Sequence, residues 1–296
     1  MESVHFDIRS TTKPKIKINK GNGYKTMQEI VSSNKLHTVC EEARCPNIFE
    51  CWERGTSTIM ILGDICTRAC GFCSVNTGRP NKIDLMEPYR TAQAVKKMNL
   101  RHVVITSVDR DDIKDDYGST IWAETISQIH HHSPNCTVEV LTPDFQGSKK
   151  ALLNVFNAKP EIFSHNIECV ERISKNVRKQ SVWSRSLDVL KFSVDNGMLT
   201  KTGMMVGLGE RKHEVVATMK EIVDLGVEIF TIGQYLQPTK NHLKVDRYVE
   251  NEEFLYYKEI GTKIGFKVVE SGSLVRSSYH ADEQARLIGK RPEKVV

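Results

Sequence analysis

The sequence predicts an α/β protein built on a partial (β/α)6 TIM-like barrel, with an N-terminal extension and a C-terminal tail. Three observations carry this expectation. From about residue 58 onward, short β-branched and apolar runs alternate with helix-length amphipathic stretches, the pattern of parallel strands joined by crossover helices. An open doubly wound sheet is disfavoured, because Gly207-Leu208-Gly209 is followed by Glu210-Arg211-Lys212 and lacks the third glycine of a dinucleotide loop, and no Walker A sequence occurs. The composition is that of a folded globular chain: 39% of the 296 residues are hydrophobic and 27% charged, with 18 glycines and 9 prolines, which excludes collagen-like and disordered classes.

In chain order, strands are predicted over residues 58–62, 102–106, 137–141, 162–167, 201–206 and 228–233, with a seventh candidate at 266–269, because these runs are rich in Val, Ile, Phe and Thr. Helices are predicted near 89–98, 119–131, 148–157, 184–196, 211–224 and 251–264, several opened by a polar residue or proline. The division that follows is an extension at 1–57, a barrel at 58–270 and a tail at 271–296. No internal repeat or low-complexity tract interrupts it.

The net charge of +5 is mild, so nucleic acid is not the expected partner. Lysines at 13, 15, 17, 20 and 25 form the one basic run and read as a solvated arm, with docking as the lesser alternative. No apolar run approaches the roughly 18 residues that cross a bilayer, and the N-terminal stretch lacks the apolar region of a secretory signal. The expectation is a cytoplasmic protein without a membrane partner.

Six of the eight cysteines fall between Cys40 and Cys73. In a reducing compartment such crowding points to metal ligands rather than to disulfides, which a chain of this length does not need. Cys66, Cys70 and Cys73 form a Cys-x3-Cys-x2-Cys triplet directly after the first predicted strand, on the rim where barrel active sites lie. Three thiolates so close can hold three corners of a cubane iron-sulfur cluster and leave the fourth iron open. Structural zinc, which prefers four ligands in paired spacings, is the rival reading. Upstream, Cys40, Cys45 and Cys51 form a Cys-x4-Cys-x5-Cys triplet that invites a fourth ligand, again with zinc or plain buried thiols as alternatives.

The first triplet, with Phe72 before its last cysteine, resembles the radical S-adenosylmethionine superfamily. Both triplets together with Arg276-Ser277-Ser278-Tyr279-His280-Ala281 resemble the lipoyl synthase family, as do Thr106 to Asp112, Val140 to Phe145, His165 to Glu168 and Gly233 to Leu236. The likeness covers nearly the whole chain. It implies a 4Fe-4S cluster on Cys66, Cys70 and Cys73 whose open iron binds S-adenosylmethionine and cleaves it to a 5′-deoxyadenosyl radical. It also implies an auxiliary 4Fe-4S cluster on Cys40, Cys45 and Cys51 whose fourth ligand is Ser278, with Ser277 as the alternative. A hard serine oxygen suits such an iron less well than a thiolate, so this corner is expected to be displaceable, as befits a cluster that surrenders its sulfide. The bland alternative is that both serines cap a turn of the tail.

The implied reaction attaches sulfur at C6 and C8 of an octanoyl chain on a lysine of a lipoyl carrier domain or protein, one S-adenosylmethionine per sulfur. A ferredoxin or flavodoxin as electron donor and iron-sulfur assembly proteins are further implied partners. Phe72, Thr106, Ser107, Asn166, Glu168 and Arg185 are the candidates for holding S-adenosylmethionine, since polar groups at the strand ends can bond its ribose, amine and carboxylate. Asp109, Arg110, Asp111 and Asp112 are equally well explained as a surface salt-bridged loop. Tyr117 departs from the glycine expected there and puts the shape of that loop in question. His130, His131 and His132 read as an exposed helix end, and Cys136 and Cys169 as buried thiols.

Overall fold

Thr58-Ile59-Met60-Ile61 is buried along its whole length, as a strand covered on both faces must be, and it begins a sheet whose order follows the chain. The structure is a computed structural model that describes residues 22–34, 36–42, 45–53, 56–279, 281, 283 and 284. The lysines at 13, 15, 17 and 20, Ala43, Arg44, His280 and most of the predicted tail lie outside the described residues, whereas Lys25 is exposed on the first helix.

The extension contributes α1 (Asn22–Ser33), the two-residue β1 (His37–Thr38), α2 (Val39–Glu42) and α3 (Ile48–Glu53). The barrel then runs through β2 (Thr58–Ile61), a small ribbon of β3 (Ile65–Cys66) and β4 (Asn76–Thr77), α4 (Glu87–Lys97), β5 (His102–Ser107), α5 (Ser119–His132) and β6 (Thr137–Leu141). It continues with α6 (Lys149–Asn157), β7 (Ile162–Ser164), α7 (Glu171–Val177), α8 (Trp183–Asp195), β8 (Thr200–Val206), α9 (Lys212–Asp224), β9 (Ile229–Gln234), α10 (Asn251–Ile264) and β10 (Val268–Gly272).

The sheet order is β1-β2-β5-β6-β7-β8-β9-β10, parallel throughout except where β1 pairs antiparallel to β2. Each new parallel strand adds beside the previous one, so there is no switch point at which the order reverses, and the sheet curls into a barrel rather than opening into a doubly wound fold. Among the described residues β2 and β10 do not pair, which leaves the barrel open. The predicted fold class therefore holds, with seven parallel strands once the candidate seventh is counted. The seventh is displaced by two residues from its predicted start and pairs with β9. Strand 162–167 is shorter than expected: after Ser164 the chain leaves the ladder and returns only at the Glu168–Met204 bridge, with Glu168 at φ +66°.

Apolar faces of α1 and α3 pack on the first half of the barrel, where Tyr24 stacks on Trp52 with ring centroids 5.0 Å apart. The second half has its own apolar cluster between β8, β9, α9 and α10. Near the N-terminal ends of the strands the lumen is closed by an ion pair, Lys201 Nζ to Glu139 Oε1 at 2.8 Å, both fully buried, with His102 Nε2 3.7 Å from the other carboxylate oxygen. A buried ion pair of this kind fixes the strands in one register more than it adds to stability.

Candidate active site

The first triplet stands on a bent exit from β2. Leu62 at φ +67° and Gly63 at φ +87° turn the chain, and both backbone N–H groups donate to the buried carboxylate of Glu87, at 2.7 and 3.3 Å. Burial pushes the Glu87 pKa up, against the pull of those two donors. Cys66 lies on β3, and Cys70 and Cys73 follow on the loop that returns to β4. Gly71 is pinned on both sides: its N–H donates to Val177 O and its carbonyl accepts from Leu243 N–H, each at 3.0 Å. A side chain at Gly71 would meet Leu243 at 2.9 Å, so the loop can pass only without one.

Between the cysteines, Arg68 is buried beneath the loop and gathers three carboxylates. It binds Asp111 through two bonds at 2.7 and 2.8 Å and Asp144 at 2.6 Å, and lies 3.3 Å from Asp109. The charge of Arg68 holds Asp144 well below the usual carboxylate range despite burial, while Asp109, more deeply desolvated, is pushed up to about 6. Asp109 and Asp111 are thus half-buried partners of a loop anchor, which corrects the expectation of a surface salt-bridged loop. Thr67 reinforces the junction by donating twice to Asp109 O, and Asp109 N–H points at Cys66 Sγ at 3.3 Å. Arg110 is buried as well, bonded to Asp112 and to the carbonyls of Leu62 and Asn81.

Cys66, Cys70 and Cys73 line one wall of a cavity of about 510 Å³ at the C-terminal ends of the strands. Phe72, Thr106, Ser107, Asn166 and Glu168 line it too, so five of the six residues singled out for S-adenosylmethionine come together there. Arg185 does not: its Nη1 donates to Asp144 at 3.1 Å, and the arginines that line the cavity are Arg68, Arg178 and Arg276. Arg178 is tied to the carbonyls of Asn166 and Ile167, at 3.2 and 3.0 Å. Asn166 Nδ2 donates to Ser277 Oγ at 3.0 Å, and its buried Oδ1 has no hydrogen-bond partner among the described residues. Burial pushes the Glu168 pKa up, partly offset by Arg178. His165 is enclosed between Thr142 O and Ser186 Oγ, at 2.9 and 3.0 Å, and burial lowers its pKa to about 4, so it is neutral near pH 7. Gly203 on β8 keeps the floor open, since a Cβ there would lie 2.3 Å from Thr231 Oγ1 and 3.1 Å from Asn166 Oδ1.

Cys40, Cys45 and Cys51 face a second, much smaller cavity, which Ser278 also lines. Ser278 Oγ accepts from Thr58 Oγ1 at 2.8 Å, whereas Ser277 lines the larger cavity. The two serines therefore face different sites. The tail is fastened over the extension by Asn47 Nδ2, which donates to Leu274 O at 2.6 Å. Arg276 lines both cavities and lies between them.

All six cysteines are free thiols whose pKa values burial pushes up, to about 12 for Cys40, Cys51, Cys66 and Cys70. Metal binding there would release their protons, since the thiolate is the ligand. Among the described residues, no three His, Cys, Asp or Glu side chains converge closely enough to hold one metal ion. Three free thiols lining each cavity are the donors that a cubane iron-sulfur cluster takes at three of its corners. Both donor sets thus fit an iron-sulfur cluster.

Elsewhere, Cys136 and Cys169 are buried as expected. His130 meets Glu161 at 3.3 Å, and His132 packs edge-on against Tyr89 at the end of α5. Tyr117 adopts φ +54° and packs against the first-half core rather than lining the cavity. Sequence reasoning did not single out Arg68, Asp144, Arg178 or Arg276 as site residues. For Arg68, Asp144 and Arg276 the signal was a charged residue inside a quoted motif, which becomes informative only once burial is known; Arg178 lies outside those motifs and had no such signal.

The family description Radical SAM superfamily matches residues 60–222. Over 272 residues the chain is 55% identical to a lipoyl synthase of Rubrobacter xylanophilus, covering 91% of this chain and 84% of that one. It is 49% identical over 275 residues to a mitochondrial lipoyl synthase of Nematostella vectensis, covering 92% and 94%. Among solved structures, Streptococcus suis SuiB bound to S-adenosylmethionine superposes with a TM-score of 0.59 at 10% identity, over 77% of this chain and 54% of that one. Methylornithine synthase superposes with a TM-score of 0.55 at 11% identity, over 92% and 97%. These structural likenesses show the fold alone, but identity near one half along the chain carries further, and the chain belongs to the lipoyl synthase family of the radical S-adenosylmethionine superfamily.

Proposed function

We propose that the chain inserts two sulfur atoms, at C6 and C8, into an octanoyl group carried on a lysine of a lipoyl carrier domain or protein. The observation that carries the reading is the pair of cysteine triplets facing two cavities that share a wall at Arg276. Both target carbons bear unactivated C–H bonds, which no side-chain base deprotonates at neutral pH, so the chemistry must come from a bound group.

Cys66, Cys70 and Cys73 would hold a 4Fe-4S cluster at three corners, and Arg178, Asn166 and Glu168 would line the space for S-adenosylmethionine. When bound, that cluster and S-adenosylmethionine supply the 5′-deoxyadenosyl radical that takes hydrogen from the octanoyl carbon. The Arg68 anchor keeps the cysteine loop in place, and neutral His165 adds no charge beside it. Cys40, Cys45, Cys51 and Ser278 would hold the second 4Fe-4S cluster, which is consumed as the sulfur substrate. The hydroxyl of Thr58 keeps Ser278 turned toward those thiols. In this reading residues 1–57 and 271–296 serve the sulfur donor and 58–270 the radical chemistry. A ferredoxin or flavodoxin would supply electrons, and iron-sulfur assembly proteins would reload the second site.

The test is iron, zinc and acid-labile sulfide per chain after anaerobic reconstitution. About eight iron and eight sulfide support two cubanes. About four would leave a radical enzyme without its sulfur donor, and zinc without sulfide would replace the reading with a structural metal protein.

A further inference from the structure

Arg276 is a cation that no carboxylate of the described residues neutralises. It lies between the two cavities, and among the described residues its guanidinium donates from Nη1 to the neighbouring carbonyl, Val275 O, at 2.6 Å. Among the described residues it forms no ion pair with a carboxylate, whereas Arg68 holds three and Arg247 is bonded twice to Glu253. Arg276 is half-buried and lines the smaller cavity together with Cys40, Cys45 and Cys51. A half-buried cation without an anionic partner is costly unless an anion arrives with the ligand.

The fold has made room for it. Gly233, at the end of β9, lies under the tail: a Cβ there would sit 2.1 Å from Val275 O and 3.3 Å from Arg276 Nη1. The close approach of β9 to the tail therefore depends on the missing side chain, and it sets the guanidinium between the cysteine sites. A 4Fe-4S core carrying three thiolates and a serine oxygen is an anion, buried where its own ligands repel one another, and Cys45 is one of those ligands.

We propose that Arg276 is the counter-ion of the second cluster, a positioning residue whose fixed positive charge compensates the thiolate-bound cluster. The assignment rests on the reading of the second triplet given above. Once the cluster is bound, the guanidinium also raises its reduction potential, because an added electron is stabilised by an adjacent cation. The first cluster, across the larger cavity, has Arg178 and the Arg68 network beside it and does not depend on Arg276.

The experiment compares Arg276→Lys and Arg276→Gln with the unaltered chain, all reconstituted anaerobically, by iron and sulfide content and by redox titration of both clusters followed by electron paramagnetic resonance. Arg276→Gln is expected to shift the second cluster to a more negative potential and to hasten its loss to an iron chelator, and Arg276→Lys to restore most of both. The first cluster should titrate unchanged in each. Unaltered potentials and chelator half-times in Arg276→Gln would overturn the proposal, as would a change confined to the first cluster or to S-adenosylmethionine binding. Failure of the underlying reading is recognisable separately, because the unaltered chain would then hold only about four iron.

Discussion

Cys66, Cys70 and Cys73 come from one loop of the barrel rim, fixed from below by Arg68 and from the sides by Val177 and Leu243, and they open onto a cavity of about 510 Å³. Cys40 and Cys51 come from two short helices of the extension and Cys45 from the stretch between them, and they face a much smaller cavity that Ser278, 227 positions beyond Cys51, also lines. The first arrangement suits a site that must admit and release a small molecule at every turnover. The second, with far less room and donors drawn from distant parts of the chain, suits a group held in place. The same side-chain chemistry is thus divided into two tasks by the way the backbone presents it.

The division is broken most severely through the cysteines. Cys66→Ala is expected to abolish 5′-deoxyadenosine formation, whereas Cys40→Ala should leave that cleavage in place and stop sulfur insertion. Product analysis by mass spectrometry separates the two, and identical behaviour in variants with correctly assembled remaining clusters would defeat the comparison. Ser278→Ala should act less completely, loosening only the second cluster, and iron retention against a chelator reads it. Ser277→Ala, facing the other cavity, should leave iron retention as it is.

The loop anchor is sharpened by a stability measurement. Asp144→Asn removes the carboxylate charge that Arg68 and Arg185 share and is expected to cost about 3–5 kcal/mol in chemical denaturation, through two weakened charge-assisted bonds, while Arg68 keeps Asp109 and Asp111. The smallest expected effect concerns pH. His165 has its folded pKa lowered from 6.5 to about 4, so the unfolded chain binds the extra proton first as pH falls. Its contribution to stability is whole above pH 6.5 and is lost progressively down to about pH 4, by roughly 3 kcal/mol in all. His165→Gln should flatten that part of the stability profile, and an unchanged slope would assign the loss to other groups.

Much of the barrel was legible in the sequence because its signal is local: β-branched runs and amphipathic periods mark strands and helices without knowledge of their partners. Elements too short for a period were not, among them α2, α3, β1 and the β3–β4 ribbon. The end of β7 was missed because His165-Asn166-Ile167 reads as strand, while the positive φ of Glu168 leaves no trace in composition. The cysteines announced themselves by spacing. Arg68 did not, since a charged residue between two cysteines reads as solvent-facing until Asp109, Asp111 and Asp144 are seen to meet it. The same blindness hid Lys201 and Glu139, whose charges look like surface charges in a strand and are buried in the lumen. Arg185 illustrates the converse, a residue of the right type on the right rim that the structure gives to a different carboxylate.

The bond from Thr58 to Ser278 spans 220 positions of sequence. Because a polypeptide is made from its N-terminus, the three thiols of the second site leave the ribosome long before the residue that completes their donor set. The first site has its three cysteines within a single loop and carries no such delay in its ligands. The order of synthesis thus separates the two sites in time as the barrel separates them in space, and it leaves the second to be finished last.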